Sequence, residues 1–176
     1  MVDTDHDIFA GLRQVYVGGE RLSPNHMAKV RTRYPAMSLY SVYGPTENTT
    51  FSTFHPITQV QGDIPLGKPI SNSTVYVFDT HRQLVPVGVA GEIYVGGDGL
   101  ALGYFNEPAL TQQKFIDDPY HPGRKLYKTG DLGKWADSGN LLFLGRNDHQ
   151  VKIRGYRAAR HAQPVGQGAG RNAVAV

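Results

Sequence analysis

Between Asp63 and Arg146 glycine, proline and aspartate recur so often that only one stretch, opened by Pro108, leaves room for a helix. The runs between these breakers are short and β-like: Thr74–Phe78, Glu92–Val95, Lys125–Lys128, Leu132–Trp135, Leu141–Leu144 and, further on, Val151–Arg154. Short strands at such spacing, each closed by turn residues, fold back beside one another into a curved antiparallel sheet of the barrel kind. Asp137-Ser138-Gly139-Asn140 is a hairpin turn in this reading, and the helix carrying Leu110, Lys114 and Phe115 lies across the outside of the barrel. The totals agree, since 21 Gly and 11 Pro in 176 residues exceed the usual ~12%.

Before Asp63 the texture is different. Gln14–Val17 is β-like and ends at Gly18-Gly19-Glu20, and Ser23-Pro24 then supplies an N-cap with proline at the first helical position. Met27, Val30 and Tyr34 make one apolar stripe, and Pro35 ends the helix at Tyr34 because the residue before proline is pushed out of the helical region. Ser38–Val42 is a second β-like run. Strand, helix and strand on short loops form a βαβ unit, which implies two parallel strands and a right-handed crossover.

Composition excludes several function classes. Without cysteine there is no disulfide framework, thiolate metal site or cysteine nucleophile, and none of the 7 histidines has a partner at metal-ligand spacing on a helix. No run approaches a membrane span, and the polar, acidic start does not resemble a signal peptide, so the expected location is the cytoplasm, with no membrane partner. The net charge is +3, and Arg146, Lys152, Arg154, Arg157, Arg160 and Arg171 concentrate basic residues near the end. No nucleic-acid motif accompanies them, and no nucleic-acid partner is expected.

Five motifs remain. Tyr43-Gly44-Pro45-Thr46-Glu47 follows the second parallel strand, where α/β sheets hold ligands beyond the carboxyl ends of their strands. Alone it is also an ordinary turn. Gly18-Gly19-Glu20 ends the neighbouring strand, and glycines there let backbone approach a flat ligand. Gly62–Lys68 has the outline of a phosphate loop, but Pro65 and Pro69 remove N–H groups and the hydroxyl such a loop needs, so it is rejected. The glycines of Gly91–Tyr104 mark bulges and corners of a curved sheet. Tyr127–Leu132 puts Asp131 on a glycine turn between two strands, as a turn cap or as an acceptor for a cis-diol. Gly145–Arg157 reads by itself as a charged hairpin.

In this order and spacing, Gly18-Gly19-Glu20, Tyr43–Glu47, Gly91–Tyr104, Tyr127–Leu132 and Gly145–Arg157 resemble core motifs of the adenylate-forming superfamily, most closely the amino-acid-activating adenylation domains of nonribosomal peptide synthetases. The resemblance runs from about Leu12 to Arg157. It implies an α/β plus β fold: the end of a parallel-sheet α/β subdomain over 1–62, a distorted antiparallel β-barrel subdomain over 63–145, a hinge over 146–157, and a disordered tail outside the family pattern over 158–176. It further implies formation of an acyl-AMP from ATP and an amino acid or other small carboxylic acid, with Mg2+, before transfer to phosphopantetheine on a peptidyl carrier domain.

Carried over by position, the resemblance implies that Tyr43 stacks on adenine, Thr46 contacts phosphate and Glu47 holds magnesium, with Gly19, Glu20 and Gly44 beside the nucleotide. It gives Asp131 the ribose hydroxyls, Arg146 a supporting contact and Asp148 the hinge, while Tyr16, Gly18, Val42, Thr50 and Phe51 line part of the amino-acid pocket. Ser41 and Leu102 depart from the usual Asn and Arg. The sequence also contains no Gly/Ser/Thr-rich phosphate loop, no aspartate anchor for a substrate amine and no C-terminal catalytic lysine, so this chain alone is expected to be inactive. The alternatives are an acyl-CoA ligase fragment of the same superfamily and a catalytically inactive remnant.

Overall fold

The computed structural model describes residues 7–147 with their side chains, and the backbone of the strands at 150–153 and 156–159. The first sheet begins with β1 (Gln14–Val17) and β2 (Ser38–Tyr43), parallel and in register from Gln14 opposite Ser38 to Val17 opposite Ser41. Helix α1 (Pro24–Arg33) crosses between them; the Ser23 side chain accepts from the His26 N–H, and Tyr34 closes its last turn onto the Val30 carbonyl. Two further strands, β3 (Thr53–Pro56) and β4 (Lys68–Pro69), extend the sheet antiparallel in the order β1-β2-β3-β4. The sheet is therefore mixed, and it reaches past residue 63, where the sequence reading ends the first unit.

Met27 and Val30 of α1 pack with Met37, Leu39 and Ile57 into a core on one face of this sheet. Because side chains alternate across a strand, the neighbours point the other way. There Tyr16 stacks on Tyr40 with ring centroids 5.0 Å apart, and Tyr40 meets Phe54 at 5.1 Å. Tyr16 and Phe54 stay substantially exposed.

The second sheet contains β5 (Ser73–Phe78), β6 (Gly91–Gly97), β7 (Phe115–Asp117), β8 (Lys125–Trp135) and β9 (Leu141–Arg146), with every pairing antiparallel. It is buried on both faces. Val75, Val77, Ile93, Val95, Phe115, Tyr127 and Leu141 form one core, and Phe78, Tyr94 and Leu126 another. The Asp137–Asn140 turn closes the β8–β9 hairpin, with the Ala136 N–H bonded to the Asn140 carbonyl.

Three details correct the local reading. The runs at 125–128 and 132–135 are one strand, so Asp131 lies not on a turn but within β8, where the pairing with β6 slips between Glu92 and Tyr94. Helix α2 (Pro108–Lys114) stops before Phe115, which instead begins β7 and is buried beneath Tyr104 and Tyr127. The last two strands, β10 (Gln150–Ile153) and β11 (Tyr156–Ala159), pair antiparallel, so β11 takes in Ala158 and Ala159 of the segment read as a tail. Residues 160–176 and Asp148 lie outside the described residues. Among those described, no helix is long and apolar enough to cross a membrane.

The two sheets are stitched by residues 66–69. Leu66 donates its N–H to the Leu141 carbonyl at the start of β9, Leu141 returns a bond to the Gly67 carbonyl, and Thr53 Oγ1 reaches the Leu66 carbonyl at 2.6 Å. Gly67 has φ +93°, and a Cβ there would stand 2.0 Å from the Phe54 carbonyl oxygen. Only glycine permits this approach.

Candidate functional site

A cleft of about 310 Å³ opens along the seam between the sheets. One wall comes from the carboxyl end of β1 and the residues after it, Gly19 to Leu22, and from Ser41 to Gly44 at the end of β2. The other comes from Asp131 in β8 and Phe143 and Arg146 in β9, with Ile64 and Leu66 from the joining segment. β1 and β2 are parallel because α1 carries the chain back over the sheet, and so they end on the same side. That is where a parallel sheet leaves its ligand crevice.

Asp131 is the electrostatic centre. Tyr43 donates its hydroxyl to Asp131 Oδ2 at 2.7 Å, and Arg146 donates Nη1 to Oδ1 at 2.5 Å and Nη2 to the Thr129 carbonyl at 3.2 Å. The Asp131 N–H in turn donates to Thr129 Oγ1, whose hydroxyl bonds the Ile93 carbonyl. Both members of the ion pair are mostly buried, with side chains 13% and 21% exposed, so solvent screens the pair less than it would at the surface. Burial, and then the charge of Asp131, hold the Tyr43 hydroxyl well above its ordinary value of 10.0, so it stays a donor.

Glu47 lies elsewhere. It sits in the 3₁₀ turn Thr46–Asn48 and is 1% exposed. Its Oε1 accepts from the Tyr104 hydroxyl at 2.6 Å and the Tyr127 hydroxyl at 2.8 Å. Burial, followed by the bond to Glu47, raises the Tyr104 hydroxyl far above its ordinary value. A protein holds Mg2+ through one or two carboxylates together with substrate phosphates, so the carboxylate must face the phosphates. As placed here, the Glu47 carboxylate faces the two tyrosine hydroxyls and does not line the cleft.

Of the residues singled out from the sequence, Gly19, Glu20, Val42, Tyr43, Gly44, Asp131 and Arg146 come together around the cleft. Tyr16, Gly18, Thr46, Glu47, Thr50 and Phe51 do not line it. Tyr16 belongs to the aromatic row on the first sheet, and Thr46, Thr50 and Phe51 are exposed around the loop after β2. Gly18 is a packing glycine, since a Cβ there would meet the Val42 carbonyl oxygen at 2.2 Å. Leu102 is 92% exposed, whereas Ser41 is buried and lines the cleft. Local reading did not pair Tyr104 and Tyr127 with Glu47, because the partners are 57 and 80 residues apart.

A family model described as "AMP-binding enzyme" matches residues 2–105, more than half of the chain. The chain belongs to the AMP-binding enzyme family. Asp131 and Arg146 lie beyond the matched segment, and further relatives cover them. Gramicidin S synthase 2 of Brevibacillus brevis is 55% identical over 152 residues, 86% of this chain and 3% of that protein. Surfactin synthase subunit 2 of Bacillus subtilis (strain 168) is 50% identical over 154 residues, 87% of this chain and 4% of that protein. The chain thus spans only a few per cent of the length of these curated relatives. Among solved structures, PA1221, described as a nonribosomal peptide synthetase protein containing adenylation and PCP domains, superposes with a TM-score of 0.85 at 42% identity, covering 90% of this chain and 33% of that one. The Vibrio cholerae adenylation domain AlmE, in complex with glycyl-adenosine-5'-phosphate, gives 0.75 at 30% identity, covering 84% and 28%.

Proposed function

We propose that this chain is part of an amino-acid-activating adenylation domain and that its cleft holds the nucleoside of ATP. The observation that carries this reading is the convergence of Tyr43 and Arg146 on the two oxygens of Asp131. A carboxylate offers about four lone-pair sites, so a cis-diol would share the two oxygens with these donors. Val42, Ile64, Leu66 and Phe143 supply apolar surface for a flat base, the mixture of apolar walls and few polar groups usual in ligand sites. Arg146 sets its positive charge against Asp131, and Tyr43 holds the carboxylate from the β2 side.

In the parent protein, a carboxylate oxygen of the amino acid attacks the α-phosphorus of ATP, a new oxygen–phosphorus bond forms, and the bond to pyrophosphate breaks. The phosphopantetheine thiol of a carrier domain then attacks the acyl carbon of the aminoacyl-AMP, a thioester forms, the acyl–phosphate bond breaks and AMP leaves, in keeping with the adenylation–PCP pairing described for PA1221. The residues of this chain bind and orient the nucleoside. The charge that develops on the phosphates needs preorganised donors, which account for most of the stabilisation in such reactions. No phosphate loop or catalytic lysine occurs in this sequence. The chain by itself is therefore expected to give no amino-acid-dependent exchange of labelled pyrophosphate into ATP.

Calorimetric titration of the chain with AMP tests the reading. Each charge-assisted bond to Asp131 contributes about 1.5–3 kcal/mol, so Asp131→Ala is expected to weaken AMP binding about tenfold to a hundredfold. Equal binding by the wild-type chain and Asp131→Ala contradicts it.

A further inference from the structure

The end of β2 and the loop after it are held to β8 at two points, by reciprocal chemistry. At one, Tyr43, the last residue of β2, gives its hydroxyl to Asp131 of β8. At the other, Glu47 of the loop accepts the hydroxyl of Tyr127, four residues earlier in the same strand, and that of Tyr104. Between the two points the loop has little slack. The Ser52 N–H closes onto the Tyr43 carbonyl at 2.7 Å, buried Asn48 Nδ2 donates to Ser52 Oγ at 2.8 Å, and the Glu47 carbonyl accepts from the Ala101 N–H at 2.8 Å. Phe115 wedges between the two tyrosine rings, edge-on to Tyr104 at 5.6 Å and tilted on Tyr127 at 5.2 Å.

A buried carboxylate persists in a fold only where donors replace its water. Two hydroxyls at 2.6 and 2.8 Å are in or near the range of O–H bonds to a charged acceptor, about twice as strong as bonds between neutral groups. The pair of tyrosines thus gives Glu47 a function that requires its acceptor oxygen and needs no cation.

We propose that Glu47 is a positioning residue whose buried carboxylate clamps the Gly44–Asn48 loop to β8 and so fixes the end of β2 where Tyr43 meets Asp131, acting on nucleotide binding without a metal ion. The part concerning nucleotide rests on the proposed function; the clamp itself does not.

Two readouts on the full chain test this, both in EDTA. The first is AMP affinity. Glu47→Ala, which leaves two buried hydroxyls without their acceptor, is expected to lose about tenfold or more. Glu47→Gln, which keeps an acceptor oxygen, restores much of that loss. Tyr104→Phe and Tyr127→Phe, which carry no ligand atom for a metal, each weaken binding several-fold. The second readout is the NMR signal of the Tyr43 ring carbon bearing the hydroxyl, in chain labelled at tyrosine. It is expected to move in Glu47→Ala and in Tyr104→Phe/Tyr127→Phe alike. Should Glu47→Ala not fold, the double variant Tyr104→Phe/Tyr127→Phe serves both readouts. Wild-type AMP affinity in Glu47→Ala or in the double variant, in EDTA, overturns the proposal, as does an unmoved Tyr43 signal. If the wild-type chain binds no AMP, the proposed function fails, and the Tyr43 signal alone decides whether the clamp exists.

Discussion

The two sheets of this molecule solve burial differently. The second sheet is buried on both faces, with Val77 and Ile93 on one side, against which Tyr43 and Leu66 also pack, and Phe78 and Leu126 on the other, all four essentially without solvent exposure. The first sheet covers one face with α1 and leaves the row Tyr16–Tyr40–Phe54 on the other partly open to solvent. A sheet closed on both faces holds its residues in fixed positions, and it supplies Asp131, Arg146, Tyr127 and the packing around Tyr104. A half-covered sheet owes less of its stability to its own contacts, and its binding loop is held from the second sheet. The cleft is therefore only as well formed as the seam that joins the two.

The sharpest way to break that comparison is to remove one ring from each sheet. Phe78→Ala in the second sheet is expected to cost about 3–5 kcal/mol in urea unfolding, whereas Phe54→Ala on the open face costs about 1 kcal/mol or less. Similar losses at both positions would mean that the first sheet is packed as tightly as the second. At the seam, Gly67→Ala forces a Cβ against the Phe54 carbonyl and is expected to cost about 1–3 kcal/mol or more. Gly62→Ala also has a positive φ but meets nothing within 4 Å, so it should cost only the left-handed backbone penalty of about 1–2 kcal/mol, less than Gly67→Ala.

Two pH effects sharpen the contrast further. Burial, and then the charge of Glu92, push the Tyr94 hydroxyl of the second sheet up to about 12 from 10.0. The unfolded chain releases that proton first, so its contribution is complete below about pH 10 and is lost as pH rises towards 12. Tyr94→Phe should flatten part of this alkaline loss in thermal melts. In the first sheet, burial lowers His55 from its ordinary 6.5. There the unfolded chain takes up the proton first, so stability is present above pH 6.5 and falls as pH drops through the folded value. His55→Gln should remove this smaller acid slope, and an unchanged slope would assign it to other groups.

Much of this arrangement was legible in the sequence because its causes are local. Ser23-Pro24 and Pro35 bracket α1, and Asp137–Asn140 makes its hairpin whatever the rest of the chain does. Tyr43 and Asp131 were legible as site residues because each belongs to a motif with a recognisable resemblance. The position of Asp131 within a strand was not, since the Thr129-Gly130 pair looks like a turn until pairing with β6 carries the strand through it. Strands β3 and β4 escaped for a related reason: Pro56 and Pro69 argue against strands, yet both residues lie at strand ends. The partners of Glu47 were invisible because nothing near residue 47 shows which distant tyrosines the fold brings to it.

The claim that the seam is a nucleoside site is tested most directly by intermolecular nuclear Overhauser contacts between AMP and the isotopically labelled chain. The account predicts contacts from the base and ribose protons to Val42, Tyr43 and Phe143, all lost in Asp131→Ala. Contacts confined to the separate groove lined by Leu102, Phe105 and Gln112, or contacts at the seam that survive Asp131→Ala, would contradict it.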